Sequence, residues 1–182
     1  MRYLSLFAAS TLALAAPASA AVITLGAGNA HGCYMAAESQ DGRDKAIQLC
    51  DVALTEEALT SHDRVATLVN RGILNLRRSH LKEANADFDA ALALDQTEPE
   101  AWLNKAIVHA RFGNSVDALP LVQKALELKT HRPALAYFVR AMAYEDSGNI
   151  PAAYRDLQRA RALEPKWAEP AIELKRFKVR QL

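Results

Sequence analysis

The chain has almost no surplus of charge. It carries 22 lysines and arginines against 21 aspartates and glutamates, a net +1 over 182 residues. That balance excludes the basic footprint of a nucleic-acid protein and offers no pull toward an anionic membrane surface. Cysteine is scarce: Cys33 and Cys50 are the two present, 17 residues apart, so the spacing excludes a C-x-x-C redox site. The five histidines, His31, His62, His80, His109 and His131, are scattered. None lies three or four residues from another or from a cysteine, so no metal ligand set is expected. Catalytic signatures are missing too. There is no G-x-S-x-G elbow, and Gly26-Ala27-Gly28 lacks the further Gly, the Lys and the preceding strand of a phosphate loop. Glu56-Glu57 and Asp87-Phe88-Asp89 read as carboxylates on solvated helix faces rather than acid–base pairs. We therefore expect no catalytic residue, no cofactor and no enzyme activity.

Long apolar runs are also lacking. The one candidate, Leu4 to Ala16, is broken at Pro17 and falls short of the roughly 20 residues a membrane span needs. With Arg2 before it and Ala18-Ser19-Ala20 after it, it reads as a secretory signal peptide over 1–20, cleaved after Ala20. The expectation is an exported protein, periplasmic or secreted, with no membrane insertion after cleavage. Residues 21–29 then form a flexible mature N-terminus with Asn29 as a possible helix cap. In an exported chain two cysteines suggest a disulfide, Cys33 to Cys50.

What the chain does have is repetition. Gly72 recurs as Ala106 and Ala141, Ala84 as Ala118 and Ala153, and Phe88 as Val122 and Leu157. Ala91 recurs as Ala125 and Ala160, and Leu94 as Leu128 and Leu163. The first step is always 34 and the second 35, so one residue is inserted near Arg132 or Pro133. A fixed step of this size predicts a stacked array of one supersecondary unit. Each unit splits into two stretches of helical periodicity. Gly113 and Gly148 suit left-handed helix ends, and Asn114 and Asn149 follow where a side chain can cap the next helix. Pro120, inside the second helix of the middle unit, should kink that helix or delay its start.

The large–small–aromatic pattern resembles the tetratricopeptide repeat (TPR) family. It is carried by Trp102, Ala106, His109, Ala118, Val122 and Ala125 in the middle unit. Leu68, Gly72, Asn75, Ala84, Phe88 and Ala91 carry it in the first, and Tyr137, Ala141, Tyr144, Ala153, Leu157, Ala160 and Pro165 in the last. Gln96 and Thr130 replace the closing proline, and Asn75 and His109 the aromatic. The resemblance implies an all-α, right-handed solenoid of antiparallel helix pairs, with units at 65–98, 99–132 and 134–167. A degenerate pair at 30–60 aligns through Ala46, Cys50 and Ala53, with Asp41-Gly42 at its turn, and 168–182 holds a capping helix, over 168–180, and the C-terminus. In that cap Ala171, Leu174 and Phe177 would cover the last unit, and the order of Glu169 and Glu173 before Lys175, Arg176, Lys178 and Arg180 suits the helix dipole.

The resemblance also implies a concave groove lined by the first helix of each unit, with Val69, Ile73, Leu103, Ile107, Phe138 and Met142 as its apolar floor. Asn70, Arg71, Arg77, Asn104, Lys105, Arg111 and Arg140 would flank it and suit a peptide with apolar anchors and an acidic group. The competing reading has these basic stems packed along neighbouring helices. Val69, Ile73 and Leu135 occupy offsets that the chaperone-binding TPR subgroup reserves for a carboxylate clamp, so that partner is not expected. The function implied is a non-enzymatic protein- or peptide-binding scaffold. The alternatives are an accessory subunit of an envelope complex and an enzyme with a site between units. Exported bacterial TPR proteins are similar in kind, which points to the periplasm.

Overall fold

Turn chemistry sets the boundaries of the helices. The computed structural model describes residues 22–23, 28–39 and 44–177, the side chain of Asp44 excepted. The expected signal peptide, Gly26-Ala27, the Asp41-Gly42 turn, Lys178 and Arg180 lie outside the described residues. Within them the fold is all-α: α1 Asn29–Glu38, α2 Asp44–Glu56, α3 Ser61–Arg77, α4 Leu81–Leu94, α5 Pro99–Arg111, α6 Ala118–Glu127, α7 Pro133–Asp146, α8 Ile150–Leu163 and α9 Ala168–Leu174. Thr60 caps α3 by accepting from the Asp63 N–H at 3.1 Å, and Glu98 caps α5 through the Glu100 N–H at 3.0 Å. Pro99 and Pro133 each open a helix, where a missing N–H leaves no bond unmade.

The turn inside each pair is built one way three times. Gly113 and Gly148 take φ of 84° and 78°, and Ser79, at the matching position, takes 62°. In each case the next residue's N–H reaches five residues back, to Asn75, His109 or Tyr144. This is the Schellman arrangement that satisfies the last carbonyls of a helix. Asn149 caps α8 through the Ala152 N–H at 3.3 Å, but Asn114 makes no side-chain cap bond. Pro120 explains the difference. A short 3-10 turn, Ser115–Asp117, precedes α6, which starts at Ala118 and so places Pro120 in its first turn. The start is delayed and the helix is not broken.

Consecutive helices pack: α1 on α2, α3 on α4, α5 on α6, α7 on α8 and α8 on α9. Each second helix also packs on the next first helix, and the first helices touch in succession, α1 with α3, α3 with α5 and α5 with α7. One core runs through α3 to α8, with Leu74 on α3 joining a smaller cluster of Cys33, Ala36, Ala37, Ala46 and Cys50. The small repeat positions set the helix spacing. Gly72 is the closest approach: a Cβ there would lie 2.5 Å from the Phe88 ring. The matching pairs are Ala106 with Val122 and Ala141 with Leu157, all buried, so volume lost on one helix returns on the other.

The structure joins Cys33 to Cys50, with Cα atoms 4.9 Å apart, and so ties α1 to α2. Closing a loop of this length contributes about 3 kcal/mol in the chain-entropy account. At the other end α9 is shorter than the expected cap. Pro170 is buried, Leu174 and Phe177 pack on the core, and Trp167 meets Phe138 with ring centroids 4.9 Å apart. Lys175 and Arg176 fall past the last helical residue, and Arg176 pairs with Glu145 and Glu173 instead of complementing the dipole.

Candidate partner-binding face

The first helices supply the face on which the sequence placed a groove. Its expected floor is buried: Val69 and Leu103 fully, with Ile73, Ile107 and Phe138 nearly so and Met142 partly. These side chains hold the stack together, so an open apolar floor is not what the chain presents. The two asparagines also differ from the expected flanking role. Asn104 is 5% exposed and donates to the Glu100 carbonyl of its own helix at 2.8 Å. Asn70 is fully buried and bonds an extended piece of the chain itself. Its Oδ1 accepts from the Val22 N–H at 2.8 Å, and its Nδ2 donates to the Val22 carbonyl at 2.8 Å. Val22 packs against the core cluster. Within the expected flexible 21–29 segment, this residue is docked.

The basic residues divide. Arg71 forks onto Asp87 of α4 through Nε at 3.0 Å and Nη2 at 2.6 Å, and sends Nη1 to Asp51 of α2 at 2.7 Å. Asn75 donates to the same Asp87 at 3.0 Å. Arg140 does the same on α7: Nε and Nη2 reach Asp156 of α8 at 2.6 and 3.1 Å, and Nη1 reaches Gln123 of α6 at 2.6 Å. Lys105 reaches back to Asp89 of α4. These three cations are committed to neighbouring helices and do not offer a charge to a ligand. This corrects the expectation that they flank a groove. Burial by itself would lower the Arg71 and Arg140 pKa values, but the bonds and charge of Asp87 with Asp51, and of Asp156, raise both. Asp87, read as part of a solvated face, is 4% exposed.

Arg111 is also structural: it donates to the Leu76 carbonyl and, at 2.8 Å, to the Ser79 hydroxyl, clipping α5 to the end of α3. Arg77 behaves differently. Its Nη1 is buried with no hydrogen-bond partner. Burial first, and then the like charge of Arg132, hold its guanidinium below the ordinary arginine value, while Glu38 pulls the other way. Of the residues expected to bind a partner, Arg77 retains an unused donor at a buried position.

Two features of this region were not legible in the sequence. Glu100 is 1% exposed, and its Oε1 accepts from the Thr130 hydroxyl and the His131 N–H, both at 2.7 Å, so it holds the link between α6 and α7. Glu57 caps α1 from outside, accepting from the Asn29 N–H at 2.6 Å and the Asn29 side-chain amide at 2.9 Å. Asn29 is therefore capped rather than capping. His109 is half-buried, with Nδ1 lacking a partner. Among the described residues no cluster of His, Cys, Asp or Glu is arranged to hold a metal ion, and no helix is long and apolar enough to cross a membrane. No protein-family model matches the chain, and no curated protein matches it.

Proposed function

We propose that the chain is an exported, non-enzymatic binding module of the tetratricopeptide type. It takes a protein or peptide partner on the face of its first helices. The observation that carries this reading is the unbroken succession of contacts from α1 to α3, α5 and α7, which makes one continuous face from equivalent repeat positions. Identical turns at Ser79, Gly113 and Gly148 support a single unit used repeatedly. The Cys33–Cys50 bond supports export, because such bonds persist in oxidising compartments. Arg77 is the cation we assign to an acidic group on the partner: its side chain is half-buried, and no acceptor among the described residues holds its Nη1.

Arg77→Glu tests the reading. Affinity capture after crosslinking in the native envelope should lose the natural partner by roughly tenfold or more, the worth of one charge-assisted bond. Helicity should stay unchanged, because Arg77 ends its helix. Full capture by the variant removes Arg77 and this face from the binding role.

A further inference from the structure

The contact between Asn70 and Val22 is unlike the other long-range polar contacts described above. It joins residues 48 apart in the chain, and a buried side-chain amide meets both polar main-chain groups of one residue. In extended backbone the N–H and C=O of a single residue point the same way. A carboxamide presents one acceptor and one donor side by side. The pairing is therefore the side-chain equivalent of one rung between strands, and it reads backbone rather than side-chain identity. Val22 suits it because a β-branched residue favours extended conformation. Ile23, the next residue, points outward at 59% exposure.

The tether matters as much as the bond. The chain passes from Ile23 to the start of α1 at Asn29, and there Glu57 fixes the main chain through Asn29 and Ala30. A segment anchored this closely meets its site at a high effective concentration. With the segment in place Asn70 is fully buried and both ends of its amide are satisfied by Val22, so an external strand must replace both bonds.

We infer that the segment at Val22 is the resident occupant of an extended-peptide site on α3, and that an external peptide strand must displace it to bind there. The inference rests on the reading of the chain as a binding module and adds what its site takes: an extended main chain, with a non-proline residue opposite Asn70. The module is held closed by its own N-terminal segment.

The test uses the full chain and a fluorescent peptide of the sequence of residues 21–27, Ala-Val-Ile-Thr-Leu-Gly-Ala. Val22→Pro removes the N–H that Asn70 accepts while leaving the helices untouched. It should bind the peptide at least about tenfold more tightly than the unmodified chain, since the tethered competitor is weakened. Adding Asn70→Ala to Val22→Pro should abolish the gain. Independently, hydrogen exchange on the unmodified chain should show the Val22 amide protected. Equal peptide affinity for the unmodified chain and Val22→Pro overturns the inference, as does a Val22 amide exchanging at the unprotected rate. Neither result depends on Arg77, so capture by Arg77→Glu judges the binding-module reading separately.

Discussion

In the α3/α4 and α7/α8 pairs an arginine at one repeat position, Arg71 or Arg140, forks onto an aspartate sixteen residues later, Asp87 or Asp156. The middle pair has Lys105 at the matching position and Leu121 where the aspartate would stand. Lys105 turns to Asp89 of the preceding helix, and Leu121 packs against the core. The base and the acid have changed together. A guanidinium presents donors in a planar fork and joins three helices at once, whereas an ammonium is a point charge on a flexible stem. Where the acid is gone, a fork would leave donors unpaired, and an apolar residue fills the volume instead. The comparison shows that this position serves helix joining, and it separates the cations of the stack from those available to a partner.

The largest expected effect sets the arginine forks against the lysine. Arg140→Ala leaves Asp156, whose side chain is 3% exposed, with Arg159 at 3.2 Å as its remaining cation. Denaturant unfolding should show a loss of about 3 kcal/mol. Lys105→Ala releases Asp89, 48% exposed, and should cost under about 1 kcal/mol. Equal losses would break the comparison.

A smaller effect separates the pairs by helix spacing. Gly72→Ala drives a methyl against the Phe88 ring, an overpacking cost of about 1–3 kcal/mol, offset by about 1 kcal/mol of helix propensity. A modest net loss of stability is expected. Adding Phe88→Leu, which reproduces the Ala141 and Leu157 combination of the third pair, should recover most of it. Failure to recover would mean that the pairs do not trade volume as described.

The smallest effect concerns α1, which is held by a disulfide and an outside cap instead of a fork. The main-chain bond from Asn29 holds the Glu57 carboxyl below its ordinary 4.5, outweighing the opposing effect of burial. A depressed folded value means the cap contributes fully above the unfolded pKa and is lost as pH falls through the folded one. Exchange at the Asn29 and Ala30 amides, corrected for intrinsic rate, should therefore accelerate only below 4.5. Glu57→Gln should flatten that response.

Much of the fold was legible because it obeys periodicity. The 34-residue step, the left-handed turns at Gly113 and Gly148 and the delayed start at Pro120 all follow from local rules. The candidate site was read less well. The aspartates that claim Arg71 and Arg140 lie at a constant offset of sixteen, with Leu121 breaking the series, so that signal was present in the sequence. Asp87 reads as solvated from sequence because neighbouring acidic residues usually are, and its place between α3 and α4 reverses this. The bond between Asn70 and Val22 had no periodic counterpart. Main-chain recognition sets little demand on the side chain at 22, and Asn70 recurs as Asn104, which bonds its own helix, so the repeat does not mark the contact.

Arg71, Lys105 and Arg140 each send a donor to the preceding second helix, α2, α4 or α6, and the two arginines also fork onto the following one, α4 or α8. Each arginine is thus a rivet through three layers, and drawing it out would loosen a hairpin both internally and from the hairpin before it.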